Sequence, residues 1–110
     1  MKSHKTLTPR QEALAETRLA EALLTVRSVE ECRAFLRDLC TPAELQAMAD
    51  RWAVVNDLER GLPYREIYRH TGVSITTIGR VARYLATGTG GYALAARRLK
   101  GGSQGSQAHG

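Results

Sequence analysis

A chain that signals one helix start after another, with no strand pattern to compete, can fold only by packing helices together. The strongest such signal is Thr41-Pro42-Ala43-Glu44. It combines a Thr suited to accept at the N-cap, a Pro at the first helical position and a Glu placed to reach back to the cap. Thr8-Pro9 begins a helix expected over about residues 9–26, with Glu12 in its first turns. Ser28, with Glu31 three residues on, begins a second, in which Val29, Cys32, Leu36, Leu39 and Cys40 recur at helical spacing and Phe35 widens the stripe. The helix opened at Thr41 carries Leu45, Met48, Ala49, Trp52, Val55 and Leu58 on one face, and Gly61 marks its end. The β-branched cluster from Val73 to Ile78 also finds its place in a helical reading. The expected fold is all-α, with five to six short helices.

A length of 110 residues supports the expectation of one compact domain, with no room for two. No apolar run reaches the roughly 18–20 residues that cross a membrane, and Met1-Lys2-Ser3-His4-Lys5 leads into a charged segment. These features predict a soluble, cytoplasmic protein. Cys32 and Cys40 have no neighbouring Cys or His to complete a metal set, so they are expected as buried, reduced thiols. Residues 1–8 are expected as a flexible segment, and residues 101–110, rich in Gly, Ser and Gln, as a flexible tail.

Charge divides the chain. Residues 1–60 carry nine Lys/Arg and ten Asp/Glu, whereas residues 61–110 carry seven Lys/Arg against Glu66 alone. A half without acid beyond Glu66 makes a positive surface suited to phosphate backbones. Within it, residues 64–85 read as a helix-turn-helix. Gly72 turns the chain, Ser74 caps the second helix, and Ile67, Val73, Ile78 and Val81 stand where the two helices must lock together. Ile75, Ala82 and Leu85 extend that inner stripe. The outer face keeps Ser74, Thr76, Thr77, Arg80 and Arg83, small near the helix start and cationic further along. Small side chains at the start of a recognition helix allow close approach to base edges, while Arg takes guanine or phosphate. Arg65 and Arg69, on the preceding helix, are placed to hold the phosphate backbone.

The chain resembles the Trp-repressor-like family of dimeric bacterial regulators, in its YerC/YecD-type branch. The resemblance spans roughly residues 10–99. It rests on Leu39 to Glu44, on Asp57-Leu58-Glu59-Arg60-Gly61, on Tyr64-Arg65-Glu66-Ile67, on Thr71-Gly72-Val73-Ser74, on Thr76 to Val81 and on Gly90-Gly91-Tyr92. It implies a DNA-binding domain over residues 9–100 and an intertwined homodimer whose N-terminal helices wrap the partner chain. Two recognition helices would then read an inverted repeat in double-stranded DNA, with repression of transcription the expected outcome. The positions matched to the family's DNA contacts are Arg65, Ile75, Thr76 and Gly79. The family's corepressor site is matched by Thr41, Arg51 and Arg80, which leaves room for a small-molecule corepressor. Val81 and Tyr84 replace smaller residues, and the Gly61-Leu62-Pro63 loop is one residue shorter, which argues against tryptophan as that ligand.

Catalysis has no basis in the sequence. His4, His70 and His109 fall in a chain end, a turn and a tail, with no metal or nucleophile spacing, and no cofactor is expected. The alternatives that remain are a dimeric helical protein-interaction module and a ligand-responsive regulator of the same fold. The first has no use for a basic second half.

Overall fold

The computed structural model describes residues 6–109, with side chains as far as Gly102, so most of the expected N-terminal segment lies outside the described residues. Among the described residues there are six helices in chain order: α1 (Pro9–Leu23), α2 (Val29–Leu39), α3 (Pro42–Glu59), α4 (Tyr64–Thr71), α5 (Ile75–Thr87) and α6 (Gly91–His109). No strand occurs among the described residues. The chain divides into two compact units, Met1–Pro42 and Ala43–Gly110.

In the first unit, α1 begins at the Thr8 cap. The Thr8 hydroxyl accepts from the Gln11 amide at 3.1 Å, and the Gln11 side chain accepts from the Thr8 amide at 2.9 Å. The box therefore closes through Gln11. The helix ends at Leu23, three residues short of the expected 26: Thr25 bonds back to the Ala22 carbonyl through both its amide and its hydroxyl, in a tight closing turn. At α2, Ser28 accepts from the Glu31 amide at 3.0 Å, but Glu31 reaches past the cap to the Arg27 amide at 2.8 Å. Neither helix buries a residue within one chain. Cys32 and Cys40 are not in a disulfide, and both are half-buried where full burial was expected.

The second unit carries the core. Val54 and Val55 of α3, Ile67 of α4, Val73 of the turn, and Ile78 and Val81 of α5 form one buried cluster, flanked by Trp52, Leu58, Leu62, Leu85 and Tyr92. The expected α3 stripe is shifted. Val54 is fully buried, while Met48 and Ala49 are exposed, because the packing is confined to the C-terminal half of the helix. That half also buries Asp57, which is 3% exposed. Its Oδ2 accepts from His70 Nδ1 at 2.8 Å, and Arg60 Nη1 lies 3.7 Å from Oδ1. One carboxylate thereby ties the end of α3 to the end of α4.

The turn between α4 and α5 is built from three residues. Gly72 takes φ +75°, a left-handed conformation open to glycine at no steric cost. The Thr71 hydroxyl donates to the Ile67 carbonyl at 2.7 Å and accepts from the Val73 amide at 3.1 Å. Ser74 then accepts from the Thr77 amide and opens α5. The last helix, α6, runs from Gly91 to His109, through the segment read from sequence as a tail. No proline interrupts it. Its inner face is Tyr92 and Ala96, with Leu94 half-buried and Leu99 exposed.

Candidate nucleic-acid interface

Because α5 buries Ile78 and Val81 against α3 and α4, its opposite face is fixed by helical geometry. Thr76, Arg80 and Arg83 fall along one line at helical spacing, and Ile75 and Gly79 along the next. Ile75, expected on the inner stripe from its apolar character, is 49% exposed. As the first residue of the helix it precedes the turn that packs inward, so it stands with Thr76 at the outer end. Ala82 and Leu85 are half-buried, as an inner stripe requires.

Three of the candidate polar residues are engaged within the fold. The Ser74 hydroxyl donates to Thr77 Oγ1 at 3.1 Å while accepting from the Thr77 amide at 3.2 Å. Arg69 on α4 lies 3.3 Å from Glu66, the acid nearest to it in the basic half. Arg65, Arg80 and Arg83 are exposed and have no carboxylate partner among the described residues. The exposed face of the second unit thus presents uncompensated cations beside small side chains.

Arg80 does have a neighbour of another kind. Its Cζ stands 4.9 Å from the centre of the Tyr84 ring, and Arg83 Cζ stands 5.4 Å from the same centre. From the sequence alone, Tyr84 stands only as a bulky replacement. An aromatic ring four residues after one Arg and adjacent to another, on a helix, was the signal available for this contact.

Arg80 also borders a half-open cavity of about 540 Å³. Arg51 of α3 lines it with Val81 and Tyr84 of α5, the Thr89-Gly90 turn and Tyr92 of α6. Arg51 and Arg80, paired by the family resemblance, both line this cavity. Thr41 belongs to the first unit and is not among the lining residues. Among the described residues, no group of three His, Cys, Asp or Glu is placed to hold a metal ion. No helix among them is long and apolar enough to cross a membrane.

Comparison with known proteins gives consistent results. The family model described as Trp repressor protein matches residues 16–100. A relative from Bacillus subtilis (strain 168), the uncharacterized protein YerC, is 40% identical over 82 residues, covering 74% of this chain and 79% of its own length. The crystal structure of a TrpR-like protein from Eubacterium eligens ATCC 27750 superposes with a TM-score of 0.77 at 31% identity, covering 84% of this chain and 96% of that one. A second solved structure, from Staphylococcus aureus, gives a TM-score of 0.76 at 32% identity, over 86% of this chain and 96% of the other.

Proposed function

The chain belongs to the Trp repressor protein family and has the fold of a helical DNA-binding regulator, and on that premise we propose that it is a homodimeric, sequence-specific transcriptional repressor reading DNA through α5. Ile75, Thr76 and Gly79 meet the base edges, Arg80 and Arg83 take guanine or phosphate, and Arg65 and Arg69 grip the backbone from α4. Ser74 and Thr77 order the start of the recognition helix and bring its amides toward the duplex.

The observation that carries this reading is Gly79. A glycine inside a helix costs about 1 kcal/mol relative to alanine. The fold gives no reason for that cost: a Cβ at Gly79 would meet nothing closer than Tyr64 Cε2 at 3.9 Å. A backbone left bare on the outer face of α5 is what close approach to a groove requires. The exposed apolar residues of α1, its C-cap and α2, Leu14, Leu19, Leu24, Val29 and Leu39, support a homodimer, since a second copy would cover them.

Gly79→Ala tests the reading because stability and binding should move in opposite directions. The thermal midpoint should rise while affinity for a duplex selected from a random library falls about tenfold or more. If affinity is unchanged, α5 does not meet DNA through this face. Arg80→Glu with Arg83→Glu should abolish binding and leave the melting temperature and the dimer in place. Unfolding of that double variant would make the arginines structural and end the proposal.

A further inference from the structure

Arg80 and Arg83 are the two cations that the outer face of α5 offers, and among the described residues neither is held by a carboxylate. An exposed arginine samples many rotamers, and fixing it on a ligand costs side-chain entropy. Two guanidiniums one helical turn apart also repel each other. Both problems meet at one side chain. The Tyr84 ring lies 4.9 Å from Arg80 Cζ and 5.4 Å from Arg83 Cζ, so its negative face draws the two cations together on one side of the helix.

Tyr84 is not required by the core. It is 43% exposed and lies outside the buried cluster of Val54, Val55, Ile67, Val73, Ile78 and Val81. It stands instead on the wall of the cavity that Arg51 and Arg80 border. A ring at that place engages the Arg80 guanidinium from within the chain.

Resting on the DNA-binding reading above, we infer that Tyr84 is a positioning residue: it pre-orders Arg80 and Arg83 for phosphate or guanine, so that this chain binds its operator without a small-molecule ligand. The ring does not touch DNA itself. It lowers the ordering cost of the two side chains that do, and in doing so it takes up the arginine a ligand in the cavity would otherwise use. Tyr84→Phe keeps the ring face and should behave as the native chain. Tyr84→Leu keeps apolar bulk and loses the ring, so it separates positioning from packing.

The experiment uses the full chain, dialysed free of small molecules, against a duplex selected by the native protein, with affinity followed as salt is raised. The native chain and Tyr84→Phe should bind alike. Tyr84→Leu, with an unchanged melting temperature, should bind about five- to twentyfold more weakly, the combined effect of two half-exposed cation–π pairs. Its salt dependence should be shallower by about one phosphate contact. In the free protein, the Arg80 and Arg83 Nε–H resonances should show the ring-current displacement of a stacked guanidinium in the native chain and Tyr84→Phe, and lose it in Tyr84→Leu.

Equal affinity and equal salt slope for Tyr84→Leu would overturn the inference while leaving DNA binding intact. So would a native chain that binds only after L-tryptophan, used as an aromatic amino-acid probe, is added. A native chain that binds no duplex with or without that probe would overturn the DNA-binding reading itself.

Discussion

The two units of this chain begin their helices with the same devices and bury very different amounts of them. In the first, Thr8 and Ser28 cap α1 and α2 through short side-chain contacts, yet no residue of either helix is buried within one chain. In the second, Ser74 caps α5 in the same manner, and Ile67, Ile78, Val54 and Val55 behind it have no solvent exposure at all. Capping decides where a helix begins; it does not decide whether the helix holds. A helix of 15 residues is marginal in water on local interactions alone, so α1 needs an outside surface that α5 already has. The leucines of α1 point to what that surface is. As the proposed homodimer, the first unit would find its core in a second copy, and the two units would then differ in whose apolar side chains they pack against.

The comparison breaks most visibly if large apolar side chains are truncated in each unit. Ile78→Ala removes a fully buried side chain at the meeting of α4 and α5, and should cost about 3–4 kcal/mol. The thermal midpoint should drop by the same amount at every protein concentration. Leu19→Ala, on α1, should hardly change the unfolding of one chain. It should instead weaken self-association about tenfold, the loss expected for one leucine withdrawn from an apolar interface. Sedimentation at several concentrations reads that effect directly. A Leu19→Ala chain that melts lower at all concentrations, with unchanged association, would mean α1 is covered by its own chain.

Buried charge sharpens the contrast at a smaller scale. Asp57 is 3% exposed and joins α3 to His70 at 2.8 Å, whereas Glu31 in the first unit bonds the Arg27 amide in solvent. The His70 side chain is 60% exposed, so water screens that pair and the full cost of breaking a buried ion pair does not apply. Asp57→Ala should cost about 1–2 kcal/mol, mostly from the polar groups left without their acceptor. Glu31→Gln should stay within about 0.5 kcal/mol. Denaturant midpoints decide between them, and a larger effect from Glu31→Gln would reverse the assignment of which unit is packed.

What the sequence made legible follows the same division. Helix starts, the Gly72 turn and the inner anchors Ile67, Val73, Ile78 and Val81 are local or periodic signals, and all lie where they were expected. Ile75 was misplaced because hydrophobicity marks a face only where a partner exists, and the first turn of α5 has none. Val54 was missed for the converse reason: α3 is apolar on more than one side, and only the packing of α4 and α5 selects which side is inner. The Asp57–His70 bond joins residues 13 apart in sequence, and no helical period pairs them. Arg51 and Arg80 were brought together by the family resemblance, because a long separation on different helices leaves no local trace. Tyr84 was within reach of spacing arguments, yet only the side-chain positions show one ring serving both arginines.

The smallest test compares equal local losses in the two settings. Thr8→Ala and Ser74→Ala each remove one cap acceptor, worth about 1 kcal/mol to the helix it opens. At Ser74 the loss should reach the whole second unit, because α5 carries Ile78 and Val81 into the shared core and cannot fray without disturbing it. Its amides and those of α4 should exchange with solvent faster together. At Thr8 the same loss should stay in α1: the Gln11 and Glu12 amides should exchange faster while the α4 and α5 amides keep their rates. If Thr8→Ala instead speeds exchange in α4 and α5, α1 is coupled to α5. An N-terminal contact would then reach the proposed DNA-binding face, and the two units would fold as one.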